Sequence, residues 1–369
     1  MIMSTSRRKI EHLELCAASP VESRKTGPGF NDVMLVHRAL PEMNMDDIDL
    51  SSRFLEKDMN APFMIASITG GHPETTAVNA ALAEAAEELG IGIGVGSQRA
   101  AIEDPSQEES FSVVRDKAPN AFVYGNIGAA QIREYGVEGV EKIIEMIDAD
   151  AIAVHLNFLQ EAIQPEGDRD ASGALEVISD ICSLAVPVII KETGAGISHE
   201  DAFILKEAGV SAIDVGGVGG TSWSGVEVYR ARERKDRESE LLGELFWDFG
   251  IPTAPSIVEC SVSLPVIATG GLRTGLDIAK SIALGASVAS AALPFVEPAM
   301  KGKDNVVDSI QHMLNELKVA MFLCGCKNIT DLHLAPAVVS GWTREYLELR
   351  GFNVKDLAMR STNNDLLAV

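Results

Sequence analysis

The sequence is poor in aromatic residues and basic residues, and it has no long apolar segment. Of its 369 residues only 5% are aromatic, and 31 lysines and arginines are set against 54 aspartates and glutamates, which leaves a formal net charge of -23. Nucleic acids and anionic membranes attract basic surfaces, so we expect neither as a partner. The longest apolar runs, such as 283–292, contain small and polar residues and are too short to span a bilayer.

Cysteines are also few, and they are scattered and odd in number, so a disulfide framework is not expected. The C-x-C pair near residue 325 has no further thiols or histidines at ligand spacing, and we interpret it as small core residues. Residues 1–11 contain no apolar run of the signal-peptide type. We therefore expect a soluble cytoplasmic protein. The cysteines are Cys16, Cys182, Cys260, Cys324 and Cys326.

What the sequence does have is a repeated unit made of a short apolar run, a glycine-rich turn and an amphipathic stretch. None of the apolar runs alternates cleanly with polar residues, which is typical of parallel strands buried on both faces. Eight such units favour an α/β fold of the (β/α)₈ TIM barrel type over an open sheet. The eight runs are 62–67, 91–95, 121–124, 151–156, 187–191, 212–215, 265–269 and 287–291.

Two regions lie outside this rhythm. Residues 1–60 are expected to form an N-terminal extension that contributes to substrate binding, and residues 61–369 a single barrel domain. Residues 225–260 are interpreted as an insertion after the sixth strand. Its charged run at 229–240 is interpreted as a solvated helix face.

Glycine-rich turns follow several of the predicted strands. Residues 69–71 follow the first strand, residues 216–220 hold four glycines after the sixth, and residues 269–275 follow the seventh. The loops after strands seven and eight are the usual phosphate site of this barrel, where backbone N–H groups bind the anion, and here Arg273 lies beside them. These positions predict a phosphate-containing ligand without identifying it.

Polar side chains follow the second and fourth strands. Residues 97–99 place a serine, an amide and a guanidinium together, which suits a phosphate or another oxyanion. His155 and Asn157 point to the same face of the fourth strand, and Gln160 and Glu161 come just after it. Glu161 is a candidate Mg²⁺ ligand, because Mg²⁺ takes one or two carboxylates together with phosphate oxygens and water.

Lys191 ends the fifth strand, so its ammonium group must face the barrel mouth or be paired. From the residues alone it is a Schiff-base nucleophile, a proton donor or a cation beside an electron-rich cofactor. The basic cluster at 7–9, together with Arg99, Lys191 and Arg273, would gather positive charge around an anionic ligand. The alternative for residues 7–9 is a basic tail with no site of its own.

Taken in order along the chain, these motifs resemble those of the type 2 isopentenyl-diphosphate isomerases. Each motif alone is weak, and the ordered set is highly specific. One departure is Ile68, where the family usually carries Met before Thr-Gly-Gly. The matching pieces are Arg8-Lys9 with His12, Thr69-Gly70-Gly71, Gly96-Ser97-Gln98-Arg99, Asn126 with Gly128 and Gln131, His155-Leu156-Asn157 with Gln160-Glu161, Lys191-Glu192 with Gly194, Gly196, Ile197 and Ser198, and the segments 217–223, 269–275 and 291–292.

The resemblance implies an FMN- and Mg²⁺-dependent interconversion of isopentenyl and dimethylallyl diphosphate, with proton transfer by the reduced flavin and NADPH as the reductant. It also implies a homotetramer or homo-octamer, catalytic roles for Lys191, His155 and Gln160, and Glu161 as the metal ligand. The implied FMN-binding residues are Ser67, Ile68, Thr69, Ser97, Asn126, Lys191, Thr221, Gly271, Leu272, Arg273, Ala291 and Ala292. The implied substrate-binding residues are Arg8, Lys9, Ser97, Gln98, Arg99, His155, Asn157 and Gln160.

Two other functions stay open. The first is an FMN-dependent barrel oxidoreductase, either a 2-hydroxyacid oxidase or an enzyme similar to IMP dehydrogenase, because such barrels share glycine-rich loops after strands six and seven. Chemistry of the IMP dehydrogenase kind needs a cysteine nucleophile there, and residues 217–225 contain none. The second is a flavin-binding sensor without activity, and the polar set after the fourth strand counts against it.

Overall fold

A computed structural model describes residues 11, 14–16 and 18–360. Eight parallel strands close into a barrel in which each strand pairs with its neighbours along the chain, and the last pairs with the first. Each of the eight predicted runs overlaps one barrel strand, so the predicted (β/α)₈ fold is confirmed. The barrel strands are β4 (Phe63–Ile65), β5 (Gly92–Gly94), β6 (Val123–Gly128), β7 (Ala151–Leu156), β8 (Val188–Glu192), β9 (Ala212–Asp214), β10 (Val266–Ala268) and β11 (Val288–Ala291), and the strands outside it are β1 (Val33–Leu35), β2 (Ser52–Phe54), β3 (Lys57–Met59) and β12 (Ala337–Val339).

Helices cover the outside of the barrel, and their ends follow local capping rules. The Ser198 side chain accepts a hydrogen bond from the Asp201 N–H and so caps the helix that follows it. Gly285 ends another helix with φ +118°, a conformation that glycine adopts without strain. The helices are α1 (Thr76–Leu89), α2 (Arg99–Glu103), α3 (Glu109–Lys117), α4 (Ala129–Met146), α5 (Phe158–Ile163), α6 (Ala174–Ile181), α7 (His199–Glu207), α8 (Trp223–Arg234), α9 (Arg237–Leu245), α10 (Thr253–Ser261), α11 (Gly275–Leu284), α12 (Val296–Lys301), α13 (Lys303–Cys324), α14 (Ile329–His333), α15 (Gly341–Leu349) and α16 (Val354–Ala358).

Residues 20–60 run along the barrel towards its amino-terminal end. There, β2 and β3 form an antiparallel hairpin. Phe54 and Met59 of this hairpin pack inside the barrel among side chains from the beginnings of the strands. The Phe54 ring meets the Phe122 ring edge to face, with 5.8 Å between their centroids. The hairpin therefore closes one end of the barrel and leaves the carboxyl ends of the strands as the open end.

In the segment after the sixth strand, the burial of the charged side chains differs from the prediction. Its residues form α8, α9 and α10, and the charged run 229–240 is divided between the first two helices. The prediction of a solvated face is wrong at Arg230, whose side chain is only 2% exposed and pairs with Glu227 at 2.5 Å. An arginine is buried in this way only when its charge is compensated.

The cysteines behave as the sequence predicts. All five are free, and Cys324 and Cys326 are buried among core side chains. In the described part of the chain, no helix combines the length and the apolar character that crossing a bilayer requires.

We expect Phe54→Ala to lower the free energy of unfolding by about 3–5 kcal/mol, because it removes a buried ring and leaves a cavity in the closed end. Urea unfolding followed by circular dichroism measures this change. The control is Met34→Ala, at a side chain that is 61% exposed, where we expect a change below about 0.5 kcal/mol. Equal losses in the two variants would show that the hairpin does not hold the barrel end together.

Candidate active site

The carboxyl ends of all eight barrel strands surround one large cavity. It holds about 1600 Å³ of open space, including the part that opens to solvent. Since the hairpin fills the opposite end, this is the end at which the described residues leave the barrel interior open to a ligand. Cys16 from the N-terminal extension also lines the cavity.

The glycine turns after the sixth and seventh strands pack backbone against backbone. Gly271 has φ +78°, and a Cβ atom there would lie 2.4 Å from the carbonyl oxygen of Gly219. A Cβ atom on Gly220 would lie 2.6 Å from the Gly271 nitrogen. Arg273 follows directly and forms an ion pair with Glu22 of the extension. Side chains in place of these glycines would force the two loops apart. The pair of loops, called the cradle below, lies at the cavity wall beside Arg273 and suits the phosphate group of FMN.

Four buried hydroxyl groups line the cavity, and none of them makes a hydrogen bond of good geometry. They belong to Ser67, Thr69, Thr269 and Ser290, at or near the ends of β4, β10 and β11. Ser67 and Ser290 interact with the buried Tyr124 hydroxyl, and Thr269 interacts with the Asp214 carboxyl. Buried polar groups normally find a partner, so the Thr69 hydroxyl indicates a polar ligand or ordered water at the site. A flavin ring system, which carries several acceptors and donors along one edge, fits these hydroxyls together with the cradle.

Asn126 is held rigidly at the cavity wall. Its amide nitrogen donates to the Val95 carbonyl at 3.1 Å, and its side-chain oxygen lies 2.9 Å from the His155 Nδ1 atom. Its backbone N–H donates to the Gln98 side-chain oxygen at 3.0 Å. Gln98, expected at the substrate, is fully buried and does not line the cavity, because its own amide nitrogen donates to the Ile143 carbonyl at 3.0 Å. It supports Asn126 from behind.

The Glu161 carboxylate is fixed at the cavity wall by three donors. It accepts hydrogen bonds from the amide groups of Asn157 at 2.8 Å and Gln164 at 2.6 Å, and from the Asp168 N–H at 2.8 Å. Among the residues that the structure describes, no cluster of three or more His, Cys, Asp or Glu side chains forms a metal cage. A Mg²⁺ ion at Glu161 would thus take its other ligands from phosphate and water, as this ion commonly does.

Two buried carboxyl groups flank Lys191. Its ammonium group lines the cavity and donates to the Glu192 carbonyl oxygen at 3.0 Å. The register of β8 and β9 pairs Lys191 with Asp214. Burial raises the pKa of Asp214 to about 6 and that of Glu192 to about 7, although the nearby Lys191 charge lowers both. The lysine therefore lies in an acidic environment inside an enclosed site.

The structure brings nearly all of the predicted site residues to this one cavity. Gln98 lies behind the wall, and Arg8 and Lys9 fall outside the described residues. Sequence reasoning missed Asp214, Glu227 and Arg230. Only the three-residue spacing of Glu227 and Arg230, which places them on one helix face, was a usable signal. The predicted residues that line the cavity are Ser67, Ile68, Thr69, Ser97, Arg99, Asn126, His155, Asn157, Gln160, Glu161, Lys191, Thr221, Gly271, Leu272, Arg273, Ala291 and Ala292.

We expect Gly271→Ala to weaken FMN binding about tenfold or more, which corresponds to about 1.4 kcal/mol, because the added methyl group strains a left-handed residue and pushes the cradle apart. Fluorescence titration of the apoprotein with FMN measures the affinity. Gly27→Ala is the control, since a Cβ atom there meets nothing within 4 Å. An unchanged affinity for Gly271→Ala would place the phosphate elsewhere.

Comparisons with known proteins agree with the flavin ligand that this cavity suits. Residues 153–339 match the model of the FMN-dependent dehydrogenase family. The isopentenyl-diphosphate delta-isomerase of Methanosarcina mazei is 73% identical over 360 residues, covering 97% of this chain and 99% of the relative. That of Archaeoglobus fulgidus is 59% identical over 350 residues, covering 95% and 100%.

A similar fold occurs in solved structures that are distant in sequence. A lactate oxidase of Pediococcus acidilactici superimposes with a TM-score of 0.65 at 15% identity, covering 93% of this chain and 96% of the oxidase. That similarity shows the barrel fold alone. The family follows from the close relatives, whose similarity spans nearly the whole chain. The chain belongs to the FMN-dependent, type 2 isopentenyl-diphosphate delta-isomerases.

Proposed function

We propose that this chain interconverts isopentenyl diphosphate and dimethylallyl diphosphate, with FMN in its reduced form and Mg²⁺. The observation that carries the proposal is the combination, in one cavity, of a glycine cradle for a flavin phosphate and a separate polar wall after the fourth strand. The flavin phosphate and the substrate diphosphate can thus be bound at separate walls of the same cavity. Relatives with this family name match the chain from end to end.

The cofactor residues are proposed from their positions. FMN would lie with its phosphate in the Gly271 cradle and its ring against the buried hydroxyls. When bound, reduced FMN supplies the proton donor and acceptor without net redox change. Lys191, held at the cavity by Glu192, would stabilise negative charge on the ring. The proposed FMN-binding residues are Ser67, Ile68, Thr69, Ser97, Asn126, Lys191, Thr221, Gly271, Leu272, Arg273, Ala291 and Ala292.

The diphosphate is proposed to lie against the opposite wall. Arg99, fixed by an ion pair with Glu103 at 2.6 Å, would bind phosphate oxygens, and Glu161 would hold Mg²⁺ between them. His155 and Asn157 line the same wall. Arg8 and Lys9 of the extension, residues 1–60, would complete the clamp. Fixing the diphosphate in this way orients the double bond for proton transfer.

The reaction adds a proton at the terminal carbon of the double bond and removes one from the carbon on the other side of the tertiary carbon. Positive charge develops at the tertiary carbon between them, so water must be kept away. The hairpin packed in the amino-terminal end of the barrel, below the cavity, supports this requirement. We propose catalytic roles for His155 and Gln160 as well as Lys191, because all three line the cavity.

Three further features belong to the proposal. NADPH would reduce the flavin, the protein would act in the cytoplasm, and it would assemble as a homotetramer or homo-octamer. Exposed apolar side chains on and after α9 support self-association, since Leu245 is 75% and Phe249 is 60% exposed. The net charge of -23 supports the absence of a nucleic-acid partner.

The deciding experiment supplies anaerobic protein with dithionite-reduced FMN, Mg²⁺ and isopentenyl diphosphate. We expect dimethylallyl diphosphate to form, with deuterium taken up from D₂O, as measured by mass spectrometry of the product. Oxidised FMN is the control and should give no turnover. If the protein binds reduced flavin and forms no product, the isomerase proposal fails.

A variant of Glu161 separates the isomerase from a flavin sensor. We expect Glu161→Ala to lower Mg²⁺-dependent turnover about tenfold or more, because the carboxylate proposed to hold the metal is lost. FMN content should be unchanged, since Glu161 lies on the opposite wall. The control is Glu176→Ala, at an exposed position on α6. Equal activity in the two variants would contradict the metal role.

A further inference from the structure

A buried ion cluster lies behind the polar wall of the cavity. At its centre is Arg230, whose side chain is 2% exposed and ranks among the largest fully buried side chains of the described residues. One guanidinium nitrogen donates to Glu227 at 2.5 Å, and another donates to Glu166 at 2.6 Å. Glu227 is itself 2% exposed.

The cluster connects three separate segments of the chain behind the cavity wall. Glu166 lies in the loop after α5, Glu227 and Arg230 lie on α8, and Glu11 of the N-terminal extension comes within 3.8 Å of the Arg230 Nε atom. Arg234 also pairs with Glu166, at 3.1 Å. These charges sit next to the site and not on a distant surface.

Glu227 makes one contact that reaches the cavity directly. The Gln160 side-chain nitrogen donates to its carboxylate at 2.8 Å, and Gln160 lines the cavity. An ionised carboxylate can only accept hydrogen bonds, so it must receive the NH₂ group of the amide. The Gln160 oxygen then lies on the other side, where it accepts from Asn157 at 3.3 Å.

We propose that Arg230 is a positioning residue for the isomerisation, because it keeps Glu227 ionised and thereby fixes the Gln160 amide with its oxygen towards the substrate. This inference rests on the proposed isomerase function. With its NH₂ group bound to Glu227, Gln160 offers the cavity an acceptor. It can orient a donor N–H or O–H group beside the reacting carbons, and it cannot itself donate a proton to them.

The electrostatics support a need for Arg230. Burial raises the pKa of Glu227 and the neighbouring Glu166 adds to that effect, whereas Arg230 and the Gln160 hydrogen bond lower it. Without the guanidinium group, a buried carboxyl beside another acid favours its protonated form. A protonated Glu227 carries an O–H donor, which can bind the Gln160 oxygen and turn the NH₂ group towards the substrate.

A purely structural role explains the cluster less well. Buried ion pairs often contribute no more stability than apolar side chains of the same volume. Here the buried charges converge on one amide of the cavity wall. The exposed pairs of the same helix do not, since Arg232 is 44% exposed and pairs with Glu240 and Glu244 at the surface.

The test compares Arg230→Gln with the matched control Arg232→Gln in FMN-loaded protein. Infrared difference spectra of Arg230→Gln against the unchanged protein should show a new carboxylic-acid C=O band, which disappears in Arg230→Gln/Glu227→Gln. We expect kcat to fall at least tenfold, with KM for isopentenyl diphosphate within threefold and FMN content unchanged. Arg230→Lys should recover part of kcat, and Arg232→Gln should resemble the unchanged protein.

Two results would overturn the inference. One is a folded Arg230→Gln variant without the new band. The other is full kcat in Glu227→Gln. This second variant keeps the shape of the side chain, and it tests the inference if Arg230→Gln does not fold. The infrared result does not depend on turnover. If Arg230→Gln shows the band and the unchanged protein makes no dimethylallyl diphosphate, the proposed function is refuted. The effect of Arg230 on the protonation of Glu227 would then still be established.

Discussion

The site depends on the way the barrel is filled. The side chains of Phe54 and Met59 occupy the amino-terminal half together with rings such as Phe122, and this packing fills that end in the described part of the chain. Every strand must then direct its polar carboxyl-terminal residues to the other end, because the strands are parallel. One cavity collects polar groups from eight separate places in the sequence.

Charge compensation is the second constraint on the cavity. The sequence predicts that basic side chains gather positive charge around an anionic ligand. The structure places acids beside these cations: Arg273 with Glu22, Arg99 with Glu103, and Lys191 between buried carboxyl groups. The proposed Mg²⁺ would therefore supply much of the positive charge that a diphosphate requires. This arrangement explains why a single carboxylate, Glu161, is held so firmly at the wall.

The two walls of the cavity use different means to hold a ligand. The cradle around Gly271 is made of backbone, and its shape comes from residues that lack a side chain. The wall after the fourth strand is made of side chains held by their neighbours: His155 by Asn126 of the adjacent strand, and Gln160 by Asn157 and Glu227. Backbone sites recognise a phosphate group by its shape. Hydrogen-bonded side chains can in addition determine which of their own atoms, a donor or an acceptor, faces the reacting carbons. The cluster at Arg230 extends that second arrangement into the protein interior.

The sequence by itself determined the eight strands, the helix caps and the loops that form the cavity, because apolar runs, glycines and capping residues act over a few neighbouring positions. It also determined the family, through motifs spread in order along the chain. Only the tertiary structure decided that Gln98 lies behind Asn126, that Asp214 stands beside Lys191, and that Arg230 is buried. These facts depend on strand register and on helix packing between residues far apart in the chain, which local patterns do not encode. A charged run has the same composition whether water or other charges surround it, so its burial could be learned only from the fold.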